Sequence, residues 1–204
     1  MQQLLLPENA LPTKLIFDPE QPMGDDQFYE FCVANADMRI ERTSQGEIVI
    51  VPPAGGESDS QSSEVIMQLG TWATRDGRGR FFGTTVMFLL PTGAAFSPDA
   101  AWVSNDRLAT LSKEQRRKFL PICPEFVVEV MSPSDRVRVA KAKMQEWLRA
   151  GVELGWLIHG DAETIYIFRA GQEKPEPRIG IASVAGEGPV AGFELDLTRI
   201  WAGL

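Results

Sequence analysis

The sequence predicts an α/β or α+β sheet domain, and three observations carry that prediction. Residues 124–134 (Pro-Glu-Phe-Val-Val-Glu-Val-Met-Ser-Pro-Ser) read as a short buried strand, an apolar β-branched run closed by a Ser-Pro-Ser turn signal. Residues 38–43 and 47–51 alternate on either side of Ser44-Gln45-Gly46, the signature of a β-hairpin. Two longer stretches, about 61–75 and 135–150, place apolar residues on one helical face. Strands grouped around two or three helices give a sheet domain.

In chain order, residues 1–23 carry four prolines and little pattern, and read as an N-terminal arm ahead of a single domain over 24–204. Asp25-Asp26 is expected to cap a helix to about Asn35, with Phe28, Phe31 and Cys32 on one face. After the hairpin, residues 52–60 read as a flexible Gly/Ser loop. The helix from about Gln61 to Arg75 follows, with Val65, Ile66, Leu69 and Trp72 as its apolar face. Residues 76–80 end it. Strands are expected over 81–90 and 97–104, separated by a turn at 91–95, and a small helix over 113–119 precedes the central strand. Asp135 can then cap a helix to about Ala150, closed by Gly151. Strands over 155–158 and 164–169 flank a turn at Gly160-Asp161, and the Gly-rich tail is β-rich.

Composition narrows the function classes. With 204 residues, 44% hydrophobic and 24% charged, the chain can bury a sizeable core. Its formal charge of -8 argues against nucleic-acid binding through global charge, so such binding needs a local basic patch or a metal ion. The two cysteines, Cys32 and Cys123, fit no metal-ligand spacing and point to a reducing, cytoplasmic setting. A single histidine, His159, excludes a His-rich zinc site. The start of the chain lacks the pattern of a signal peptide, and no stretch approaches the roughly 18 apolar residues of a membrane span.

Three residues can carry chemistry. Glu129 sits among valines in the central strand, where an ionised acid costs several kcal/mol unless a cation or donor meets it. A structural strand-end acid paired with an arginine, a common arrangement, would also account for it. Asp99 follows Pro98 at the start of a strand, a position that an ordinary turn aspartate also takes. Lys143 interrupts the apolar stripe formed with Val139 and Trp147, either as a snorkelling stem or as an ammonium aimed at an acid; Lys141, about 200° round the helix, should face solvent. Two carboxylates on neighbouring strands can hold a divalent cation through oxygen ligands, which makes Mg²⁺ or Mn²⁺ the metal that fits. A lysine beside them can orient a water or stabilise charge on a phosphate.

The order and spacing of several stretches resemble the PD-(D/E)xK nuclease superfamily, and more closely its Uma-two family of restriction-endonuclease-like domains. They are Phe28-Tyr29-Glu30-Phe31, Arg39-Ile40-Glu41-Arg42, the loop at 52–56, residues 88–94 and 97–103, residues 124–136, Lys143-Met144-Gln145-Glu146-Trp147 and residues 151–158. The resemblance implies a mixed sheet flanked by helices and metal-dependent hydrolysis of phosphodiesters, with DNA as the partner. By position, Asp99 matches the acid of the "PD" element and Glu129 that of the "(D/E)xK" element. The residue two after Glu129 is Met131, and Lys143 on the next helix stands in for the missing lysine. Glu64 takes the place of an extra acid in related nucleases, or is a solvated helix residue. Arg78, Arg80, Arg136 and Arg138 are candidates for phosphate contacts. A catalytically inactive binding or regulatory module is the alternative, and a homo-oligomer, a dimer whose proline-rich N-terminal arm exchanges across subunits, is expected.

Overall fold

The computed structural model describes residues 13–15 and 23–204. Apart from Thr13–Leu15 and Met23, the expected N-terminal arm lies outside the described residues.

Eleven strands form two sheets. Strand β1 (Thr13–Leu15), β2 (Arg39–Arg42), β3 (Ile48–Val51), β5 (Phe88–Leu89) and β6 (Ala95–Phe96) make a five-stranded sheet in the order β1-β3-β2-β6-β5. The larger sheet runs β11 (Glu176–Ile179), β10 (Thr164–Arg169), β9 (Leu154–His159), β8 (Phe126–Val130), β7 (Ala100–Ser104) and β4 (Gly79–Phe82). Its one parallel pair is β8 with β9, so the sheet is mixed. A helix, α4 (Val137–Ala150), makes the crossover that a parallel pair requires. A separate ribbon pairs β12 (Ser183–Ala185) with β13 (Glu194–Asp196), and α5 (Thr198–Ala202) follows it.

The period-two alternation of β8 sorts its side chains between two cores. Phe126 and Val128 join Val65, Leu69, Trp156 and Phe193 on the face covered by α2 (Gly56–Asp76). Val127 and Met131 join Phe88, Phe96, Met144 and Trp147 on the face covered by α4. Phe126 and Trp156 are fully buried and meet edge to face at 4.9 Å. A third cluster, around Phe28, Ile40 and Ile48, fixes α1 (Asp25–Ala34) on the smaller sheet. Residue 79 must be glycine-sized: a Cβ there would lie 2.4 Å from both Trp102 and the Val103 carbonyl.

The hairpin and the later strands match their expected places, but four expectations are corrected. Helix α2 begins at Gly56, five residues before the expected start, with Glu57 and Asp59 in its first turn where acids favour the positive helix end. The run 81–90 is two strands in different sheets, broken at Gly83-Thr84-Thr85. The small helix expected over 113–119 is only a 3-10 turn at Gln115–Arg117, and an unanticipated helix, α3 (Asn105–Ala109), capped by the Ser104 hydroxyl, precedes it. The helix caps also differ. Gly24 precedes α1, and Arg136 precedes α4, because Asp135 is occupied by the Ser132 N–H at 2.7 Å and hydroxyl at 2.9 Å. Gly151 closes α4 in the left-handed conformation, φ 114°, as expected.

Candidate active site at the seam of two sheets

The chain crosses from the smaller sheet to the larger at Ser97-Pro98-Asp99, between β6 and β7. Asp99 is held there by two bonds to β8. Its N–H donates to the Val128 carbonyl at 3.1 Å, and its Oδ2 accepts from the Val130 N–H at 2.7 Å. The register Ala100 opposite Val128, continued one step, sets Asp99 across from Glu129. Alternation along β8 points Glu129 into the α4 side, with Val127 and Met131.

Helix α4 brings Lys143 to that acid. Lys143 Nζ lies 3.0 Å from Glu129 Oε1 and 3.2 Å from Oε2. One helical turn on, the Trp147 indole N–H donates to Glu129 Oε1 at 2.8 Å. Lys143 also donates to Glu41 Oε1 at 3.0 Å, and Glu41 Oε1 accepts the Ser97 N–H at 3.0 Å. Glu41 comes from β2 of the other sheet, so the ammonium ties the two sheets together. A second tie between the same elements runs from Ser44 of the hairpin to Glu146 of α4, at 3.1 Å from the hydroxyl.

Burial makes the electrostatics strong. The Glu129 side chain is 12% exposed, Glu41 5% and Lys143 24%. Desolvation pushes the Glu129 carboxyl up to about 7, against the pull of Lys143 and with the push of Asp99 and Glu41. Desolvation also raises Asp99, while the Val130 N–H and the cations Arg39 and Lys143 oppose the rise. For Lys143, burial favours the neutral amine, but Glu129 and Glu41 outweigh it and hold the ammonium protonated. The group is thus short of positive charge: three acids, Glu41, Asp99 and Glu129, face two cations, Lys143 and Arg39. Carboxylate oxygens are the hard donors that Mg²⁺ and Mn²⁺ prefer, so the donor set and its charge deficit fit a divalent cation. Asp99 is reached from outside through a cleft of about 460 Å³ whose other lining groups include Arg39, Asp59, Ser62 and Thr84.

The structure therefore brings Asp99, Glu129 and Lys143 together, and it places the remaining candidates elsewhere. Glu64 lies about 200° round α2 from Ser62, which lines the cleft. Its neighbours are Gln68, at 3.0 Å, and Arg199, at 3.5 Å, beside the β13–α5 segment. The third acid of the cluster is instead Glu41. Sequence reading missed it, although alternation in Arg39-Ile40-Glu41-Arg42 puts Arg39 and Glu41 on one face. Arg78 is engaged by Asp76 at 2.8 Å and the Ala191 carbonyl at 3.1 Å, at the Ser104 end of β7, roughly 17 Å along the strand from Asp99. Arg80 is exposed on β4, opposite Val103, and Arg136 and Arg138 are exposed at the start of α4. None of these four lines the cleft. Lys141, expected in solvent, has its ammonium 3.7 Å from the Tyr166 ring centroid.

A mixed α+β sheet domain that buries an Asp, a Glu and a Lys at one strand end belongs, by fold, to the restriction-endonuclease-like class. More narrowly, the chain belongs to the Uma2 family, described as "Putative restriction endonuclease", whose sequence profile matches residues 25–198. It is similar to a solved structure from Anabaena variabilis titled as a "putative nuclease belonging to DUF820". The TM-score is 0.68 and the identity 18%, over 80% of this chain and 89% of that one. No curated protein matches. Among the described residues, no helix is long and apolar enough to cross a membrane.

Proposed function

We propose that this protein is a metal-dependent endonuclease that hydrolyses phosphodiester bonds of DNA. The observation that carries the reading is the convergence of Lys143 with Glu129, 3.0 Å apart, at the strand end where Asp99 opens on a cleft. Asp99 and Glu129 are the residues that would hold Mg²⁺ or Mn²⁺. The cation, when bound, supplies charge stabilisation at the scissile phosphate and lowers the pKa of the attacking water. Lys143 stays protonated between Glu129 and Glu41, so it donates hydrogen bonds and positive charge and does not act as a base. Trp147 fixes the Glu129 carboxylate by its indole N–H to Oε1, and Lys143 contacts both carboxylate oxygens. Glu41 holds the lysine from the opposite side and sets its position. The free thiols of Cys32 and Cys123 accord with a cytoplasmic setting.

A second reading is a nuclease-fold binding or regulatory module that does not cleave. It is favoured by the three carboxylates on the cleft, Asp37, Asp59 and Asp99, which repel an anionic substrate. Titration calorimetry with Mn²⁺, together with cleavage of single- and double-stranded DNA and RNA in Mg²⁺ and Mn²⁺, separates the two. The nuclease reading expects Mn²⁺ binding and DNA cleavage, both lost in Asp99→Ala. Mn²⁺ binding with every polynucleotide left intact overturns it and selects the second reading.

A further inference from the structure

We infer that Arg39 is the phosphate-binding side chain of the cleft, the group that meets a nonbridging oxygen of the substrate backbone. The inference rests on the reading of the site as one for phosphodiesters. Arg39 is the one cation among the described residues that line the cleft on Asp99. Its guanidinium is anchored, among the described residues, through Nη2, which donates to the Ser97 carbonyl at 2.8 Å in the same turn that carries Asp99. Its Nε is buried and has no hydrogen-bond partner among the described residues. A buried donor on a charged group left unpaired is costly, and such a group in a folded protein calls for an explanation. A guanidinium anchored through one nitrogen with a further donor unspent is shaped to take an anionic oxygen in its fork. Alternation on β2 explains how the site obtains it, since Arg39 and Glu41 share a strand face two residues apart. One therefore stands at the cleft and the other under Lys143. The acids Asp37, Asp59 and Asp99 give the cleft an excess of negative charge, so Arg39 binds phosphate only when a divalent cation answers the carboxylates.

The test is fluorescence anisotropy of a labelled oligothymidylate with the full-length protein, in Ca²⁺ and over a range of salt. Arg39→Gln is expected to bind about tenfold more weakly and to lower the slope of log K against log salt by about one phosphate contact, whereas Arg78→Gln matches the wild type. Thermal melting of each variant separates loss of contact from loss of fold. Should Arg39→Gln not fold, the wild type is compared on the same oligonucleotide with uncharged methylphosphonate linkages, where a similar loss is expected. Equal affinity for wild type and Arg39→Gln, equal affinity for charged and uncharged linkages, or no binding by the wild type overturns the inference. A wild type that binds through Arg39 but never cleaves leaves this inference standing and removes the hydrolysis reading. Cleavage with binding indifferent to Arg39 does the reverse.

Discussion

Replacing Glu129 by Gln separates the cost of the buried charge from the shape of the site. In the native fold this carboxyl titrates at about 7, against an ordinary value of 4.5. Between those pH values the folded chain holds a proton that the unfolded chain has released. Stability from this group is therefore complete below about pH 4.5 and is lost as pH rises to 7. At 1.36 kcal/mol per pH unit, the shift corresponds to about 3 kcal/mol. Asp99, raised for the same reason, works in the same direction and stays in the variant. The comparison is thus of wild type with Glu129→Gln, by urea unfolding in EDTA at pH 4.5 and pH 8. The wild type should lose about 3 kcal/mol relative to the variant over that interval, a relative midpoint shift of about 1.5 M for a slope near 2 kcal/mol/M. A difference between the two proteins that does not change with pH would refute the claim that desolvation dominates at Glu129. Adding Mg²⁺ should oppose the wild-type loss, because a cation favours the ionised carboxylate.

Other substitutions probe the rest of the cluster. Lys143→Met removes the cation shared by Glu41 and Glu129 and should cost about 3 kcal/mol at pH 8, less near pH 5 where Glu129 is protonated, read by the same unfolding curves. Trp147→Phe keeps the ring in the core but leaves Glu129 Oε1 without its indole donor, and about 2 kcal/mol of stability should go with it. Gly79→Ala forces a methyl to within 2.4 Å of Trp102 and the Val103 carbonyl, and calorimetry should show a fall in Tm matching at least about 1–3 kcal/mol. Glu64→Gln, away from the cluster, should leave Mn²⁺ affinity within about twofold of wild type by titration calorimetry; a larger loss would place Glu64 at the site.

What was legible in the sequence depended on how local the signal is. A charged residue in an apolar strand, and another in an apolar helical stripe, betray themselves by breaking a short-range pattern, which is why Glu129 and Lys143 stood out. Glu41 broke no pattern: Arg39-Ile40-Glu41-Arg42 reads as an ordinary half-exposed strand, and only the packing of one sheet against α4 buries it to 4% exposure. The same holds for Arg42, which is buried beneath Gly93, Met23 and Asp25 by contacts 17 to 51 residues away in the chain. The early start of α2 was hidden because Gly55, Gly56 and four serines up to Ser63 disfavour a helix locally, while burial of Ser58, Gln61 and Ser62 supplies the tertiary support. The split at Gly83 was hidden because apolar runs on both sides look continuous until each is assigned to its own sheet.

The seam at Ser97-Pro98-Asp99 also bears on motion. Because one ammonium joins β2 to β8, the hairpin cannot swing away from the larger sheet without uncovering two carboxylates and a lysine at once. Opening of the smaller sheet and loss of the site then become a single cooperative event. Amide protons of β2 and of the middle of α4 should exchange with solvent at a common rate, and one ligand at the cluster should slow both together.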